Sequence, residues 1–194
     1  MKPRIILAST STFRQSIFQK LHLPFESIAP NCDETPYPEE TAENLVKRLS
    51  ETKARSCKIN REHALVIGSD QVCVVNNQII GKPHTRENAI KQLTAASGRA
   101  VTFYTGLSLY NTHTDHCQTV CEPFIVHFRT LTEQQIRYYV DKEQPFNCAG
   151  SFMCEGLGIA LFERLEGKDP NALIGLPLIS LIDLLDTEGI TTLS

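Results

Sequence analysis

The chain has 194 residues, 41% of them hydrophobic and 21% charged, with ten glycines and ten prolines, which excludes a disordered, collagenous or coiled-coil protein. Its formal charge of −3 gives no basic footprint for nucleic acid and no polybasic stretch for anionic lipid, so an anionic ligand has to find local positive charge. A chain of this length can bury roughly 70% of its unfolded surface, enough to fold without a metal or a disulfide.

Met1-Lys2-Pro3-Arg4 leads into only four apolar residues before a polar run, too short for the hydrophobic region of a signal peptide. The apolar runs, such as Leu65 to Ile67, fall far short of the ~20 residues of a membrane span. A cytoplasmic location is therefore expected, with neither nucleic acid nor membrane as partner. Seven cysteines, an odd number scattered from Cys32 to Cys154, read as reduced thiols rather than a disulfide framework.

The first unit is a buried-type strand, Arg4 to Ala8, the hydroxyl run Ser9-Thr10-Ser11-Thr12, and a helix with Phe13, Ile17 and Leu21 on one face. Such a turn aims backbone N–H groups and hydroxyls past the strand end, a natural anion site, with Arg14 on the helix's first turn. Simple capping accounts for one or two of the four hydroxyls. A short strand at Phe25 to Ile28 precedes a proline-punctuated loop, Pro30 to Pro38, which carries Asp33 and Glu34. Thr41 then caps a helix with Leu45, Val46 and Leu49 that reaches Lys53. Ser50-Glu51-Thr52-Lys53 matches a serine–lysine hydrolase motif, but its companion motifs are missing, and Ser50 reads as surface.

From Ala64 the pattern is β: Leu65-Val66-Ile67, Gly68-Ser69-Asp70-Gln71, Val72 to Val75, an Asn76-Asn77 turn and Ile79-Ile80. Asp70 interrupts an apolar run. Burying a carboxylate costs several kcal/mol unless it is paired, so this residue is either ion-paired structure or chemistry. Gly81-Lys82-Pro83 holds a lysine in a stiff turn before a helix from Thr85 bearing Ala89, Ile90 and Leu93. Ser97-Gly98-Arg99 is a turn, and Val101 to Tyr110 a long β segment broken by Gly106. His113, His116, Cys117 and Cys121 are chemically able to bind zinc, but they lack paired Cys-x-x-Cys spacing, and the segment reads better as a hairpin tip. Glu122 to Arg129 is a strand, and Thr132 with Gln135 makes a capping box for a helix through Ile136, Tyr139 and Val140. Cys148 to Gly158 has no periodicity and reads as a binding loop. Ile159 to Phe162 returns to strand, Gly167 to Asn171 turns, and a last helix runs from about Pro177 to Leu185. No repeat or linker interrupts residues 1–194, which read as a single mixed α/β domain, with two lobes around a cleft.

The residues that look wrong as pure structure are hydroxyls and Arg14, the acids Asp33 and Glu34, and then Lys53, Asp70, Lys82 and Glu155. Cations in turns and helix starts can cradle a polyphosphate, while one or two carboxylates hold a divalent metal and orient or deprotonate water. Hydrolysis of a phosphoanhydride is the expected reaction. No P-loop motif is present, and Gly150, Gly156 and Gly158 lack dinucleotide-fold spacing.

Leu7-Ala8-Ser9-Thr10-Ser11 with Arg14, Asp33-Glu34-Thr35, Lys53-Ala54, Gly68-Ser69-Asp70-Gln71, Gly81-Lys82-Pro83, Ser97-Gly98-Arg99, Tyr104-Thr105-Gly106 and Gly175-Leu176-Pro177 together resemble the Maf family of nucleoside triphosphate pyrophosphatases, in order along nearly the whole chain. The resemblance implies a mixed sheet with flanking helices, akin to the inosine triphosphate pyrophosphatase fold. It also implies cleavage of a nucleoside triphosphate to a monophosphate and pyrophosphate with a divalent metal, Mg or Mn. It casts Asp70 as proton acceptor near the metal, Glu34 as metal neighbour, and Ser9, Arg14, Lys53 and Lys82 as phosphate-facing residues. Phe13, Gln71 and Glu155 fall where the family varies its base-reading residues, and Cys148 to Phe152 with Glu155-Gly156 resembles the branch that prefers 7-methyl-GTP. A cationic methylated guanine suits an aromatic face and a carboxylate. A homodimer is suggested by the resemblance alone. The rival reading is a nucleotide-binding regulator of cell division without physiological turnover, separable from the enzyme by turnover and not by binding.

Overall fold

Capped helices alternate with buried strands in a computed structural model that describes residues 3–57 and 63–193, so Met1 and Lys2 lie outside the described residues. In chain order the elements are β1 (Arg4–Leu7), α1 (Thr12–Gln19), β2 (Glu26–Ser27), α2 (Ala42–Ser56), β3 (Ala64–Val75), β4 (Gln78–Ile80), α3 (Arg86–Ala96), β5 (Ala100–Asn111), β6 (His116–Phe128), α4 (Glu133–Glu143), β7 (Phe162–Gly167), α5 (Pro170–Ile174) and α6 (Leu178–Thr187). The strands form one mixed seven-stranded sheet of order β2-β1-β3-β5-β6-β7, with β4 paired to β3. None of the described helices is long and apolar enough to cross a membrane. Chain contacts divide the molecule into two compact units, residues 1–70, 105–122 and 169–194, and residues 71–104 and 123–168.

In the first unit β1 runs parallel to both β2 and β3, with Ile5 opposite Leu65 and Leu7 opposite Ile67. Because side chains alternate along a strand, β1 feeds two cores. Ile5 and Leu7 join Leu65, Ile67, the α1 residues Ile17 and Phe18, and Leu178, Leu181, Leu184 and Leu185 of α6. Ile6, Ala8 and Val66 pack on the other face against Ala54 and Cys57, at the end of α2. A parallel pair covered on both sides has no polar face to show, hence its uninterrupted apolar sequence. The helix α1, between β1 and β2, packs on one face and α2, between β2 and β3, on the other, and because Leu7 at the end of β1 lies opposite Ile67, the run from Ser9 and the 68–70 stretch of β3 both follow that pair. In open α/β sheets ligands bind beyond the carboxyl ends of the strands.

The second unit packs Phe103, Phe128, Phe152 and Phe162 edge to face, with ring centroids 4.8–5.6 Å apart. The capping box of α4 forms as expected from Thr132 and Gln135. Tyr139 of α4 accepts a hydrogen bond through its hydroxyl from the Met153 backbone N–H (2.9 Å), which ties down the 148–158 loop.

Several expectations need correction. Ser50 is fully buried, its Oγ 2.8 Å from Ser108 Oγ, because it shares the inner face of α2 with Val46, Leu49 and Lys53. Gly106 does not break β5. It allows close approach, since a Cβ there would lie 2.1 Å from the Val46 carbonyl oxygen of α2. Residues Leu157–Leu161 form a 3-10 turn, so the strand begins only at Phe162. Leu21 lies beyond the end of α1, and Phe13 is 41% exposed rather than on the buried face. The tip at residues 112–115 is the expected hairpin turn, held by Asn111 Oδ1 accepting from the His113 and Thr114 N–H groups. Among the described residues no group of three or more His, Cys, Asp or Glu could hold a metal, so the zinc alternative at His113 to Cys121 has no ligand set.

Candidate active site

At the carboxyl end of β1 the hydroxyl run does mostly local work. Ser9 Oγ accepts from the Ser11 N–H (3.1 Å) and Ser11 Oγ caps α1 by accepting from the Arg14 N–H (3.4 Å), while Thr10 and Thr12 are exposed. Ser9 is itself buried. Arg14 turns its Nε–H onto the Gly175 carbonyl (2.8 Å). Burial pushes its pKa down, while the negative charges of Asp70 and then Glu34 oppose that shift.

The proline-rich loop reaches the same place because it is anchored at several points. Asn31 donates its N–H to Ser56 Oγ of α2 (3.2 Å). Asp33 Oδ1 accepts from the Thr35 N–H and hydroxyl at 2.9 and 2.6 Å, which holds its carboxyl below the usual range. Arg48 of α2 grips both Glu40 oxygens at 2.7 Å, donates to the Thr35 carbonyl (3.1 Å) and lies 3.9 Å from the centre of the Tyr37 ring. A bidentate guanidinium stacked on an aromatic ring is a geometry lysine cannot reproduce. Asp33 is thus spent on its own turn, and Glu34 is left to reach Lys53.

There Lys53 Nζ sits 2.6 Å from Asp70 Oδ1 and 2.7 Å from Glu34 Oε2. The ammonium and the Asp70 side chain are about one-tenth exposed or less, whereas Glu34 is 56% exposed. This triad answers the question posed by a carboxylate inside an apolar strand. Its partner is an ammonium seventeen residues away on α2, able to make a third hydrogen bond. The Cys32 thiol beside it has its pKa raised by burial and then by Glu34, which disfavours the thiolate.

In the second unit, Gln71 follows Asp70 along β3, and Lys82 and Glu155 are exposed on their loops. Both influence Cys148, which burial and then Glu155 push up to about 11, with Lys82 opposing. Cys154 donates its thiol to Glu155 (3.5 Å) and is pushed up to about 12 by burial and that carboxylate. Of the expected site residues, Glu34, Lys53 and Asp70 are in direct contact, with Ser9, Phe13 and Arg14 in the same unit and Gln71, Lys82 and Glu155 in the other. Arg48 and Ser56, which hold the acidic loop, carry no sequence signal, since their partners lie 8 to 25 positions away.

The description of the Maf-like protein family matches residues 4–188. The chain belongs to the Maf family. It is 62% identical over 193 residues, 100% of both chains, to a protein of Aliivibrio fischeri named 7-methyl-GTP pyrophosphatase. Proteins of the same name from Vibrio vulnificus and Vibrio cholerae are 61% and 60% identical over 190 residues, covering 98% of this chain and 97% and 98% of theirs. All nine expected site residues of this Maf protein lie within the matched span.

The donor set bears on what kind of metal these residues could hold. Two carboxylates converge on one cation, Lys53 Nζ, with no third acidic, thiol or imidazole ligand among the described residues. That does not make a zinc cage. It does fit a hard divalent ion, which is commonly held by one or two carboxylates and completed by substrate phosphate oxygens and water.

Proposed function

We propose that this Maf protein hydrolyses the α–β phosphoanhydride of a nucleoside triphosphate, with 7-methyl-GTP as preferred substrate, releasing the monophosphate and pyrophosphate. The observation that carries the reading is the buried Asp70–Lys53 pair, with Glu34 on the same ammonium and Arg14 close enough to feel both carboxylates. The names of the full-length relatives support the choice of substrate.

In this reading Asp70 takes a proton from the attacking water, whose oxygen bonds to the α-phosphorus as the bond to the bridging oxygen breaks and pyrophosphate leaves with the electron pair. Arg14 and Lys53 draw the triphosphate chain toward the strand ends, with Ser9 and Lys82 as further phosphate contacts. Glu34 and Asp70 would hold a divalent ion, Mg or Mn, which when bound neutralises developing phosphate charge. Phe13, exposed at the start of α1, offers a ring face to a cationic base, a contact of roughly 0.5–2 kcal/mol. Glu155 is suited to accept from the guanine N1–H and N2–H groups, and Gln71 can both donate and accept at a base edge. A homodimer, a cytoplasmic location and the absence of nucleic-acid and membrane partners belong to the same reading.

The test is pyrophosphate release from normal and methylated nucleoside triphosphates with magnesium or manganese. Turnover concentrated on 7-methyl-GTP and reduced by ~10² or more in Asp70→Asn is expected. Binding without turnover would instead favour the regulator.

A further inference from the structure

Asp70 and Ser69 are consecutive in β3 and so point to opposite faces of the sheet. Asp70 meets the ammonium of Lys53. Ser69 is 1% exposed, and its single hydroxyl proton lies between two carbonyls at 2.9 Å, those of Gly106 on β5 and of Gly175 at the end of α5. The Gly175 carbonyl is also the acceptor for Arg14 Nε. We propose that Ser69 and Gly175 are positioning residues that set the guanidinium of Arg14 for the phosphate chain, so that one dipeptide of β3 places both cations of the site.

Arg14 has five N–H donors, of which Nε spends one on Gly175. With Nε held, the plane of the fork is restrained, and the terminal nitrogens carry the other four N–H donors, fanned out in that plane. Ser69 fixes the other end of the arrangement by binding the same carbonyl from within the sheet, while Thr105 of β5 donates its hydroxyl to the neighbouring Ala172 carbonyl (2.9 Å). The carbonyl that orients the guanidinium is therefore tied to β3 through the Ser69 hydroxyl, and the α5 turn that carries it is tied to β5 through the Thr105 hydroxyl, both buried. Residue 175 is also fixed in kind. Its φ of +118° is one that L side chains rarely adopt, and a Cβ there would stand 3.3 Å from Arg14 Nε and 3.5 Å from the adjoining terminal nitrogen. Misplacing a charged donor by a fraction of an ångström is enough to lose catalytic or binding advantage.

The inference rests on the phosphate role of Arg14 proposed above, and a double-mutant cycle separates the two. Affinity for a non-hydrolysable α,β-methylene analogue of GTP with magnesium is measured for wild type, Arg14→Met, Ser69→Ala and the double variant. Arg14→Met should weaken binding tenfold or more, and Ser69→Ala roughly tenfold, but Ser69→Ala should cost nothing further in the Arg14→Met background. Equal Ser69→Ala losses in both backgrounds would mean a general structural role and overturn the positioning alone. An Arg14→Met variant that binds as wild type does would sink the phosphate role and the positioning with it. Gly175→Ala repeats the cycle with the Ser69 hydroxyl intact, should Ser69→Ala fail to fold. A substrate-free readout is hydrogen exchange at Arg14 Nε, expected to be slow in wild type and faster in both Ser69→Ala and Gly175→Ala. Unchanged exchange would overturn the positioning whatever the affinities show.

Discussion

A buried carboxylate announces itself in sequence because water must be replaced by something, and Asp70 was conspicuous for that reason. What replaces it was not legible, since nothing local links Lys53 and Glu34 to Asp70. The triad has an asymmetry that can be measured. Removing Lys53 leaves two carboxylates facing each other, one of them buried, whereas removing Asp70 leaves Lys53 still paired with Glu34. Breaking a buried ion pair by deleting one partner costs about 3–5 kcal/mol, so Lys53→Met should fall in that range in urea unfolding. Asp70→Asn should cost less stability while costing most of the activity. Glu34→Gln, at a largely exposed residue, should cost under about 1 kcal/mol. A Lys53→Met variant no less stable than Glu34→Gln would show that the ammonium is not what stabilises Asp70. Ser50 shows the opposite failure of legibility. Its polar neighbours in sequence concealed a position on the inner face of α2, where Val46 and Leu49 were the better guides.

Elements were readable where their signals are local. Thr41, Thr85 and Thr132 cap their helices as their spacing suggests. Asp169 with Pro170 is an equally good helix start, with the carboxylate accepting from the Asn171 N–H, but α5 is only five residues long and reads in sequence as a turn. Ile159 to Phe162 misled because a short apolar run resembles a buried strand. Gly158, where a Cβ would approach the Met153 carbonyl oxygen to 2.2 Å, marks instead a tight turn. The same kind of contact governs α2, which rests on the sheet through two glycines. A Cβ at Gly68 would lie 2.0 Å from the Ser50 carbonyl oxygen, and one at Gly106 2.1 Å from that of Val46. The obstacles are backbone atoms and cannot rotate away. Gly68→Ala and Gly106→Ala should each destabilise by about 1–3 kcal/mol or more. Because α2 carries Lys53, each should also slow pyrophosphate release although neither touches substrate. A variant with full activity and an unchanged urea midpoint would show that α2 can retreat without cost.

At the scale of the molecule, seven cysteines without a disulfide impose a limit on alkaline stability. Burial pushes Cys73 up to about 12, Cys154 to about 12 with Glu155 adding to it, and Cys121 and Cys148 to about 11. Below pH 9, the ordinary thiol value, folded and unfolded chains hold these protons alike, and stability does not depend on them. Above it the unfolded chain releases them while the folded chain keeps them, so the unfolded state binds fewer protons and stability falls as pH rises toward 11–12. Each such thiol contributes a slope of up to about 1.4 kcal/mol per pH unit. The urea midpoint should therefore be flat from pH 7 to 8.5 and fall from pH 9 to 11. Cys73 gives the cleanest test, because it is fully buried in β3 and its shift has burial as sole cause. Cys73→Ala should be less stable at pH 8, having lost packing, yet its stability should decline less steeply between pH 9 and 11. Parallel slopes for the variant and wild type would mean that other groups, not this thiol, set the alkaline limit.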